Sequence, residues 1–460
     1  MSKYSRSLMA VISAVMCTFF VPTWAAAQLT WVHLDPSGTP PSPRSCTHAV
    51  YVSGEFGAMC IFGGAVTNNG PLLDDMYMLT LPYGHETWGP IPQQGSWPSA
   101  RARFVLVFDS SRRRIFGFGG ADGYYHVAGD NWTFALDSLR WVRIDTSSGY
   151  LSPSPRVGAD YAYDSSTNKQ YLFGGTALQN GWFNDVWCLD LATGTWQQLS
   201  PNGTPPIASQ GGVGIVDRAN NRFIFFAGQT SNLNFTNETW AIGPLGSTQI
   251  RFTQLSPSGT PPPPMRHPVA VYDSSGQRMI VFGGEDNNWQ LYNTVWQLTL
   301  TPGSETWQTL TPGGTPPPPM YLSSSVLDVP NRRMVVFGGD LFSRRSNDVY
   351  ALEGLWSGAE EAGKESLTRN SRVVSVRPNP SAGPVTIAYE LNKPSPVRLG
   401  IFDVTGKLVR SLGEGSASAG SHQIVWDGLM EGGGSCRSGV YFYELAADGK
   451  AFTGRIIRTR

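Results

Sequence analysis

Arginine, histidine and aromatic side chains recur at two kinds of position that could bind a ligand. The first kind lies just before certain apolar segments and carries arginine or histidine, whose nitrogen atoms bind oxygen-rich groups. The second kind lies in longer loops that are rich in aromatic and amide side chains. The predicted ligand-binding residues are Arg44, His48, Arg103, Tyr125, His126, Arg156, Trp182, Arg266, His267, Trp289 and Arg344. For each arginine, the alternative is a structural role as a repeated hydrogen-bonding residue.

Catalytic motifs are much less evident than binding residues. None of the six histidines has a metal-ligand spacing, and no nucleophile elbow, P-loop or dinucleotide fingerprint occurs. We therefore predict no cofactor and no metal site, and the residues favour binding over catalysis. The alternative is a glycan-active enzyme, an epimerase or lyase, that uses an arginine, histidine and aspartate cluster.

Composition indicates a turn-rich β protein. The 460 residues include 52 glycines, 34 prolines and 15 tryptophans, and only 15% of them are charged. Lysine and arginine total 34, as do aspartate and glutamate, so the formal net charge is zero. A chain with no basic excess is a poor candidate for nucleic-acid binding.

The first residues resemble a secretory signal. Lys3 and Arg6 precede the apolar run from Leu8 to Val21, and small residues follow at 25–27. We expect cleavage before Gln28 and a secreted or cell-surface location. No later segment has the length of a membrane-spanning helix, so we predict no transmembrane segment after cleavage.

Internal repeats with a period of about 55 residues dominate the next part of the chain. Each repeat has an apolar segment that ends in a glycine pair, and tryptophan or another aromatic follows at two further positions. Such segments are typical of strands that are buried on both faces. The pairs that define repeats 1 to 6 are Gly63-Gly64, Gly119-Gly120, Gly174-Gly175, Ala227-Gly228, Gly283-Gly284 and Gly338-Gly339.

These repeats resemble the kelch family over about residues 29 to 356. The resemblance implies an all-β fold, a six-bladed β-propeller in which each repeat is one four-stranded antiparallel blade. Repeat 6 lacks a good fourth strand, whereas Trp31-Val32-His33-Leu34 resembles the fourth strands of the other repeats. We predict that this segment completes the sixth blade, with Trp356 as its competitor for that place.

The meander also places both kinds of candidate residue on one face. Connections alternate between the two ends of an antiparallel blade, so the entry to the first strand and the loop after the second strand lie together. Kelch proteins commonly bind ligands there, and we predict an extracellular glycan or protein as the ligand.

Four cysteines remain beyond the predicted signal peptide, at 46, 60, 188 and 436. Their spacing fits no metal pattern and is too sparse for a disulfide scaffold. We expect buried thiols, with Cys60 opposite Val50 on a neighbouring strand.

A different β pattern begins after residue 372. We predict a signal peptide at 1–27, a propeller at 28–356, a polar linker at 357–372 and a small immunoglobulin-like sandwich at 373–460. The last segment resembles the C-terminal sorting modules of type IX secretion cargo and the immunoglobulin-like domain of flagellar hook-capping proteins. The residues that carry this resemblance are Pro378-Asn379-Pro380, Asp403 to Val409, Trp426-Asp427-Gly428, Ser438 to Tyr443 and Arg455 to Arg458. It implies recognition by outer-membrane secretion machinery, and the alternative is a passive accessory domain.

Overall fold

The computed structural model describes residues 29–53, 57–67, 70–123, 126–144, 151–247, 249–355, 372–379, 381–391, 393–403, 407–418, 420–447 and 450–459. These residues form β-strands and one three-residue 3-10 helix, Leu178–Asn180. The prediction of an all-β chain is confirmed. The predicted signal peptide, Tyr125, Trp356 and nearly all of the predicted linker lie outside the described residues.

The strands up to the end of repeat 3 are β1 (Thr30–Leu34), β2 (Ser37–Gly38), β3 (His48–Val52), β4 (Ala58–Ala65), β5 (Leu72–Thr80), β6 (Thr87–Pro90), β7 (Val105–Asp109), β8 (Arg114–Phe118), β9 (Asn131–Ala135), β10 (Arg140–Ile144), β11 (Asp160–Asp164), β12 (Lys169–Phe173), β13 (Val186–Asp190) and β14 (Thr195–Leu199).

Repeats 4 to 6 contain β15 (Ser209–Gln210), β16 (Val213–Asp217), β17 (Arg222–Phe226), β18 (Gln229–Thr230), β19 (Thr239–Gly243), β20 (Arg251–Leu255), β21 (Ser258–Gly259), β22 (Met265–Arg266), β23 (Val269–Asp273), β24 (Arg278–Phe282), β25 (Glu285–Asp286), β26 (Val295–Thr299), β27 (Thr306–Leu310), β28 (Gly313–Gly314), β29 (Ser324–Asp328), β30 (Arg333–Phe337) and β31 (Val349–Glu353).

Among the described residues, repeats 1 to 5 each supply the four antiparallel strands of one sheet, and repeat 6 supplies three. The two-residue strands β2, β21 and β28 extend three of these sheets by pairing in parallel with β6, β27 and β1. Sheet 1 is β3 to β6, sheet 2 is β7 to β10 and sheet 3 is β11 to β14. Sheet 4 is β16, β17, β19 and β20, and sheet 5 is β23, β24, β26 and β27. Sheet 6 contains β29, β30, β31 and, as its outer strand, β1.

The strand before the first repeat therefore belongs to the last sheet. Trp31 pairs with Leu352 and Leu34 with Val349 in an antiparallel ladder. The prediction for this segment is confirmed. Because repeat 6 supplies only three strands of its own, the start of the chain gives its outer edge a partner.

Apolar clusters join each sheet to the next. Each repeat has an apolar second strand that is buried on both faces, so its side chains pack against both neighbouring sheets. The cluster between sheets 6 and 1 contains Phe337 and Trp88, whose rings lie 5.0 Å apart. Corresponding clusters join sheets 1 and 2, 2 and 3, 3 and 4, 4 and 5, and 5 and 6.

The glycine pairs lie where one sheet approaches the next. In repeat 6, Gly338 and Gly339 have φ values of 67° and 108°, which favour glycine. A Cβ on Gly338 would lie 2.8 Å from the carbonyl oxygen of Arg44. The second residue of each pair donates its N–H to the following repeat, and the six acceptors are the carbonyl oxygens of Arg101, Arg156, Ser209, Met265, Met320 and Arg44.

Two of the described cysteines agree with the expectation of burial. Cys60 and Cys188 are buried, whereas Cys46 and Cys436 are partly exposed, and all four are free thiols. Cys60 pairs with Val50 across the strands, as predicted.

The strands after residue 371 belong to a second compact unit. They are β32 (Arg372–Arg377), β33 (Val385–Leu391), β34 (Ser395–Phe402), β35 (Leu408–Ala417), β36 (Gly420–Trp426), β37 (Gly439–Ala447) and β38 (Lys450–Arg458). One sheet has the order β32-β33-β36 and the other β35-β34-β37-β38. Alternate residues of both sheets, including Ile387, Leu399, Trp426 and Leu445, form one buried core.

Several of the motifs that carried the C-terminal resemblance meet in this unit. The side chain of Asn379 donates to the carbonyl oxygen of Arg455 at 2.8 Å and accepts from the N–H of Ile457 at 2.7 Å. The Arg458 guanidinium lies 5.5 Å from the centre of the Trp426 ring and donates to the carbonyl oxygen of Gly383. These motif residues thus anchor the last strand to the rest of the sandwich.

Candidate functional site

The first strands of the six sheets surround a cavity of about 740 Å³. Its lining includes apolar side chains, several serines and the tyrosines Tyr51, Tyr161, Tyr163 and Tyr272. His48, Arg103 and His267 line the end that lies at the entries to the first strands. The structure therefore brings three of the predicted site residues to one cavity.

An almost complete ring of backbone hydrogen bonds surrounds this end of the cavity, and we call it the neck. Its members come from the same position of each repeat and all have positive φ values between 54° and 72°. Successive members are joined by N–H to carbonyl bonds of 2.6–3.3 Å, except for the step from Arg103 to Gly158, for which the structure gives no bond. The six members are Cys46, Arg103, Gly158, Gly211, His267 and Leu322.

Arg103 and His267 meet across the neck although they belong to opposite sheets. Arg103 Nη2 lies 3.2 Å from His267 Nε2, so a neutral His267 accepts this hydrogen bond. Burial, followed by the charges of Arg103, Arg266 and His48, lowers the pKa of His267 well below its usual value. Burial and Arg103 also lower the pKa of His48 to about 3. Both histidines are consequently neutral near pH 7.

Arg44 and Arg156 serve the framework of repeats 1 and 3, and Arg101 does the same in repeat 2. The buried Arg156 guanidinium donates to both carboxylate oxygens of Asp185 at 2.5 and 2.9 Å, and to the carbonyl oxygen of Gly174. Arg44 and Arg101 make the same bonds with Asp75 and Asp130. These guanidinium groups are buried, which supports the structural alternative for Arg44 and Arg156.

Repeats 4 to 6 replace these buried arginines with Ser209, Met265 and Met320. Arg266 stands one residue later than Met265, and this offset turns its side chain toward the loops. Its Nε donates to Glu285 Oε1 at 2.6 Å, and its guanidinium lies 4.7 Å from the centre of the Phe235 ring and 5.7 Å from that of Trp289. Arg266 therefore belongs to a different kind of site from Arg44 and Arg156.

Paired residues beside the neck differ between the two halves of the ring. Repeats 1 to 3 pair small or apolar residues there, whereas repeats 4 to 6 pair larger polar ones. The pairs in repeats 1 to 3 are Ser45 with Ala65, Ala102 with Ala121, and Val157 with Thr176. The pairs in repeats 4 to 6 are Gln210 with Gln229, Arg266 with Glu285, and Tyr321 with Asp340. We call the last six residues the polar cluster.

Glu285 is the most perturbed carboxylate of this cluster. It is fully buried, and its Oε2 has no hydrogen-bond partner among the described residues. Burial raises the pKa of Glu285 above its usual value, with Arg266 opposing and Asp340 adding to the rise. Asp340, also buried, forms an ion pair with Arg345.

Large apolar side chains border the polar cluster. Leu233, Trp289 and Phe342 are 66%, 64% and 46% exposed, and Phe235 is half-buried beside Arg266. The Trp289 and Phe342 rings lie 6.5 Å apart, and the Phe235 N–H donates to Asn287 Oδ1 of the neighbouring loop. We call Leu233, Phe235, Trp289 and Phe342 the apolar rim.

Backbone geometry makes this exposure unusual. Leu233, Trp289 and Phe342 have φ values of 66°, 62° and 62°, a region that bulky residues rarely adopt. Three loops thus hold a large apolar residue in a costly conformation and direct it to solvent. Such strain is characteristic of functional loops.

The remaining predicted site residues belong neither to the polar cluster nor to the apolar rim. His126 is exposed and contacts Asp122, and Trp182 is half-buried in repeat 3. Arg344 is exposed and lies 3.4 Å from Asp348. Tyr125 lies outside the described residues.

The sequence patterns indicated the longer loops, but of the four residues of the apolar rim only Trp289 is among the predicted ligand-binding residues. The signal that would have found the others is a large apolar residue among polar neighbours in equivalent loops, as in Asn232-Leu233-Asn234. Glu285 and Asp340 are absent from the predicted ligand-binding residues. Their signal is the position directly after the glycine pair, which is small or neutral in repeats 1 to 4.

Within the part of the chain that the structure describes, no helix has the length and apolar character needed to cross a membrane. Among the same residues, no group of three or more histidine, cysteine, aspartate or glutamate side chains is arranged to hold a metal ion.

Comparison with known families identifies both parts of the chain. The model described as the KLHDC2/KLHL20/DRC7 Kelch-repeats domain matches residues 47–248 and 219–379. The protein therefore belongs to the kelch-repeat family, as its repeats predicted. The model of the FlgD Ig-like domain matches residues 375–450.

Several curated proteins are similar to the repeat region. Adagio protein 3 of Arabidopsis thaliana is 29% identical over 196 residues, which cover 41% of this chain and 30% of that protein. Host cell factor homolog hcf-1 of Caenorhabditis elegans is 28% identical over 271 residues, or 54% of this chain and 32% of that protein. The chain spans less than half the length of these relatives. The solved structure titled "Structure of YjhT" aligns at 13% identity with a TM-score of 0.49, over 67% of this chain and 95% of that one.

Proposed function

We propose that this kelch-repeat protein is an exported binding protein whose ligand contacts the apolar rim and the polar cluster of repeats 4 to 6. The observation that carries the proposal is the exposure of Leu233, Trp289 and Phe342 in left-handed backbone conformations. Exposed apolar side chains that are grouped together and surrounded by polar groups are typical of interaction surfaces.

The polar cluster gives this surface its directional contacts. Gln229 accepts a hydrogen bond from Arg266 Nη1 at 3.0 Å, and Arg266 also holds Glu285. Arg266 therefore links repeats 4 and 5 and lies between two rim rings. A ligand on the rim would meet both apolar contacts and fixed donors and acceptors.

A protein is the ligand that this surface fits best, and a glycan is the second choice. Leucine and phenylalanine contribute apolar area without polar atoms, and aromatic residues and arginine are the side chains that dominate binding energy between proteins. A sugar would stack on Trp289 but would gain little from contact with the apolar Leu233 side chain. Membership of the kelch family agrees with a role in protein binding.

The ligand class can be tested with the chain that begins at Gln28. The chain would be screened against a glycan array and, in parallel, cross-linked to extracellular proteins through a photoreactive residue at position 289. A protein cross-linked at 289, but not at the exposed Val329 in a turn between β29 and β30, supports the proposal. Saturable binding to one glycan class without a protein partner would replace it with the second choice.

One observation favours an enzyme as the alternative function. Buried Glu285, with its raised pKa, lies beside Arg266 in the same cluster as Tyr321, whose ring centre is 6.3 Å from that of His267. A carboxyl group with a raised pKa is suited to proton transfer. Turnover of a glycan that is lost in Glu285→Gln while binding persists would establish the alternative.

We also propose that the chain reaches the cell exterior in two steps. The basic and apolar residues before Gln28 would direct it across the inner membrane. The C-terminal unit, whose last strand is anchored by Asn379, would then be recognised by outer-membrane secretion machinery. The match to the FlgD Ig-like domain supports the fold of this unit and leaves the sorting role as a proposal.

A further inference from the structure

We call the cavity between the first strands the axial cavity, and the described charged side chains that line it are all positive. Its described lining includes Arg103 at the neck and Arg218 near the opposite end, and no aspartate or glutamate. Arg218 lies 3.5 Å from Asp164 Oδ1, so a carboxylate already faces its charge. Among the described residues, Arg103 has no carboxylate partner within 4 Å. Its side chain bonds to His267 instead.

The side chain bonded to Arg103 does not neutralise the charge of its guanidinium group. Its nearest bonded neighbour, His267, is neutral near pH 7, and the His48 Nδ1 has no hydrogen-bond partner among the described residues. The charge of Glu285 interacts with that of Arg103, but Glu285 does not line the cavity and its Oε1 accepts a hydrogen bond from Arg266 at 2.6 Å. A cation in a confined site without a paired carboxylate carries a desolvation cost that an anionic ligand would offset.

The rest of the cavity is suited to an apolar or aromatic body. Below the neck its walls include Leu106, Tyr161, Ile215 and Tyr272. A volume of about 740 Å³ lies within the range of small-molecule sites, roughly 300–1,000 Å³. The cavity thus has a cationic end and a largely apolar interior.

We propose that the axial cavity binds a small organic acid, whose carboxylate pairs with Arg103 and whose apolar or aromatic body lies between the first strands. His48 donates from Nδ1 to the same carboxylate in the appropriate tautomer. This site is separate from the apolar rim, so its ligand and the ligand of the rim are bound independently.

The proposal can be tested with benzoate as the probe and the chain from Gln28 onward. Isothermal titration calorimetry would compare benzoate with benzamide, which keeps the ring and lacks the charge, and with acetate and inorganic phosphate, which lack the ring. The variant is Arg103→Gln. The matched control is Arg113→Gln, because Arg113 has a similar φ of 49° but forms an exposed pair with Asp137.

We expect one benzoate to bind per chain, with a Kd that rises at least about tenfold in Arg103→Gln and stays the same in Arg113→Gln. Benzamide, acetate and phosphate should bind at least about tenfold more weakly than benzoate. The absence of benzoate binding would overturn the proposal, and so would equal affinity for benzamide, equal affinity for phosphate or an equal loss in Arg113→Gln.

A second variant at the same position distinguishes loss of the Arg103 contact from misfolding of the chain. Arg103→Lys keeps the charge but loses the planar, two-pronged geometry, so its Kd should lie between those of the unmodified chain and Arg103→Gln. Leu233→Ser in the apolar rim should leave benzoate binding unchanged. Loss of benzoate binding in Leu233→Ser would show that the two sites are not separate and would contradict the proposal.

Discussion

The backbone N–H of Gly339 in repeat 6 donates to the carbonyl oxygen of Arg44, which precedes repeat 1, at 3.0 Å. The same bond joins every other repeat to its successor, so this one links the last sheet to the first. Together with β1, which forms the outer strand of sheet 6, it ties the two ends of the repeat region to each other.

Replacement of Gly339 by alanine should therefore weaken the repeat region. Its φ of 108° is unfavourable for any residue with a Cβ, and that Cβ would lie 3.1 Å from the Cβ of Ser323. We expect Gly339→Ala to lower the free energy of unfolding by at least about 1 kcal/mol, as measured by urea titration. Gly89→Ala is the control, because a Cβ at Gly89 would meet nothing within 4 Å. An equal loss in both variants would contradict this explanation.

Arg156→Ala should destabilise the protein through the carboxylate that it leaves behind. Asp185 lies largely buried in this pair and loses two hydrogen bonds when the guanidinium is removed. The expected loss in the free energy of unfolding is about 3 kcal/mol. Arg113→Ala, which breaks an exposed pair, should cost less than about 1 kcal/mol.

A double variant separates burial of charge from loss of volume at this position. Repeat 5 has Met265 and Thr294 where repeat 3 has Arg156 and Asp185, so the fold accommodates an uncharged version. Arg156→Met combined with Asp185→Thr should be more stable than Arg156→Ala in the same urea titration. A double variant that is less stable than the single one would show that the ion pair is required.

Acid should destabilise the protein through its neutral histidines. The pKa of His48 is about 3 in the folded chain and about 6.5 in the unfolded chain, so between these values the unfolded chain binds more protons. The free energy of unfolding should therefore fall as the pH drops from about 6.5 toward 3. Glu285 has a raised pKa in the folded chain, so its protonation makes the free energy of unfolding rise as the pH drops. Because His48→Phe leaves Glu285 in place, comparing this variant with the unmodified chain isolates the contribution of His48.

We expect His48→Phe to reduce the loss of stability between pH 6.5 and pH 4, as measured by urea titration at each pH. His126→Phe is the control, since His126 is exposed. Unchanged pH dependence in His48→Phe would mean that His48 does not contribute through its protonation.

Deletion of residues 372–460 tests the sorting role of the C-terminal unit. In a host with the type IX apparatus, the shortened chain should accumulate in the periplasm, whereas the full chain should reach the surface or the medium. Cell fractionation followed by immunoblotting measures the two pools. Equal passage of both chains across the outer membrane would make this unit an accessory domain.

The sequence was sufficient to predict the strands but not the difference between repeats 1 to 3 and repeats 4 to 6 on the candidate face. Glycine pairs and aromatic residues recur with the repeat, and they predicted where each buried second strand ends. The motif of Trp31 to Leu34 likewise predicted the pairing of β1 with β31. The repeats can be recognised in the sequence because equivalent residues of each repeat have the same structural environment.

The roles of the arginines depended on an offset of a single residue. Arg156 and Arg266 both precede a first strand, but the side chain of Arg156 lies in a buried pair and that of Arg266 lies among the loops. Adjacent residues near a strand face opposite ways, so this offset decides the role. Glu285 and Asp340 lie in loops of two different repeats, and the interaction between their charges has no signal in the sequence.

Direct measurement of ligand affinity in variants of the apolar rim tests the central claim. The ligand recovered with the unmodified chain would be titrated by surface plasmon resonance against Leu233→Ser, Trp289→Ala and Phe342→Ser, with Val329→Ser as an equally exposed apolar control at another turn. We predict that Trp289→Ala raises the Kd by at least about tenfold, that the other two rim variants also raise it, and that Val329→Ser leaves it unchanged. Rim variants that bind as tightly as the unmodified chain, or a loss of similar size in Val329→Ser, would contradict the assignment of the binding surface to repeats 4 to 6.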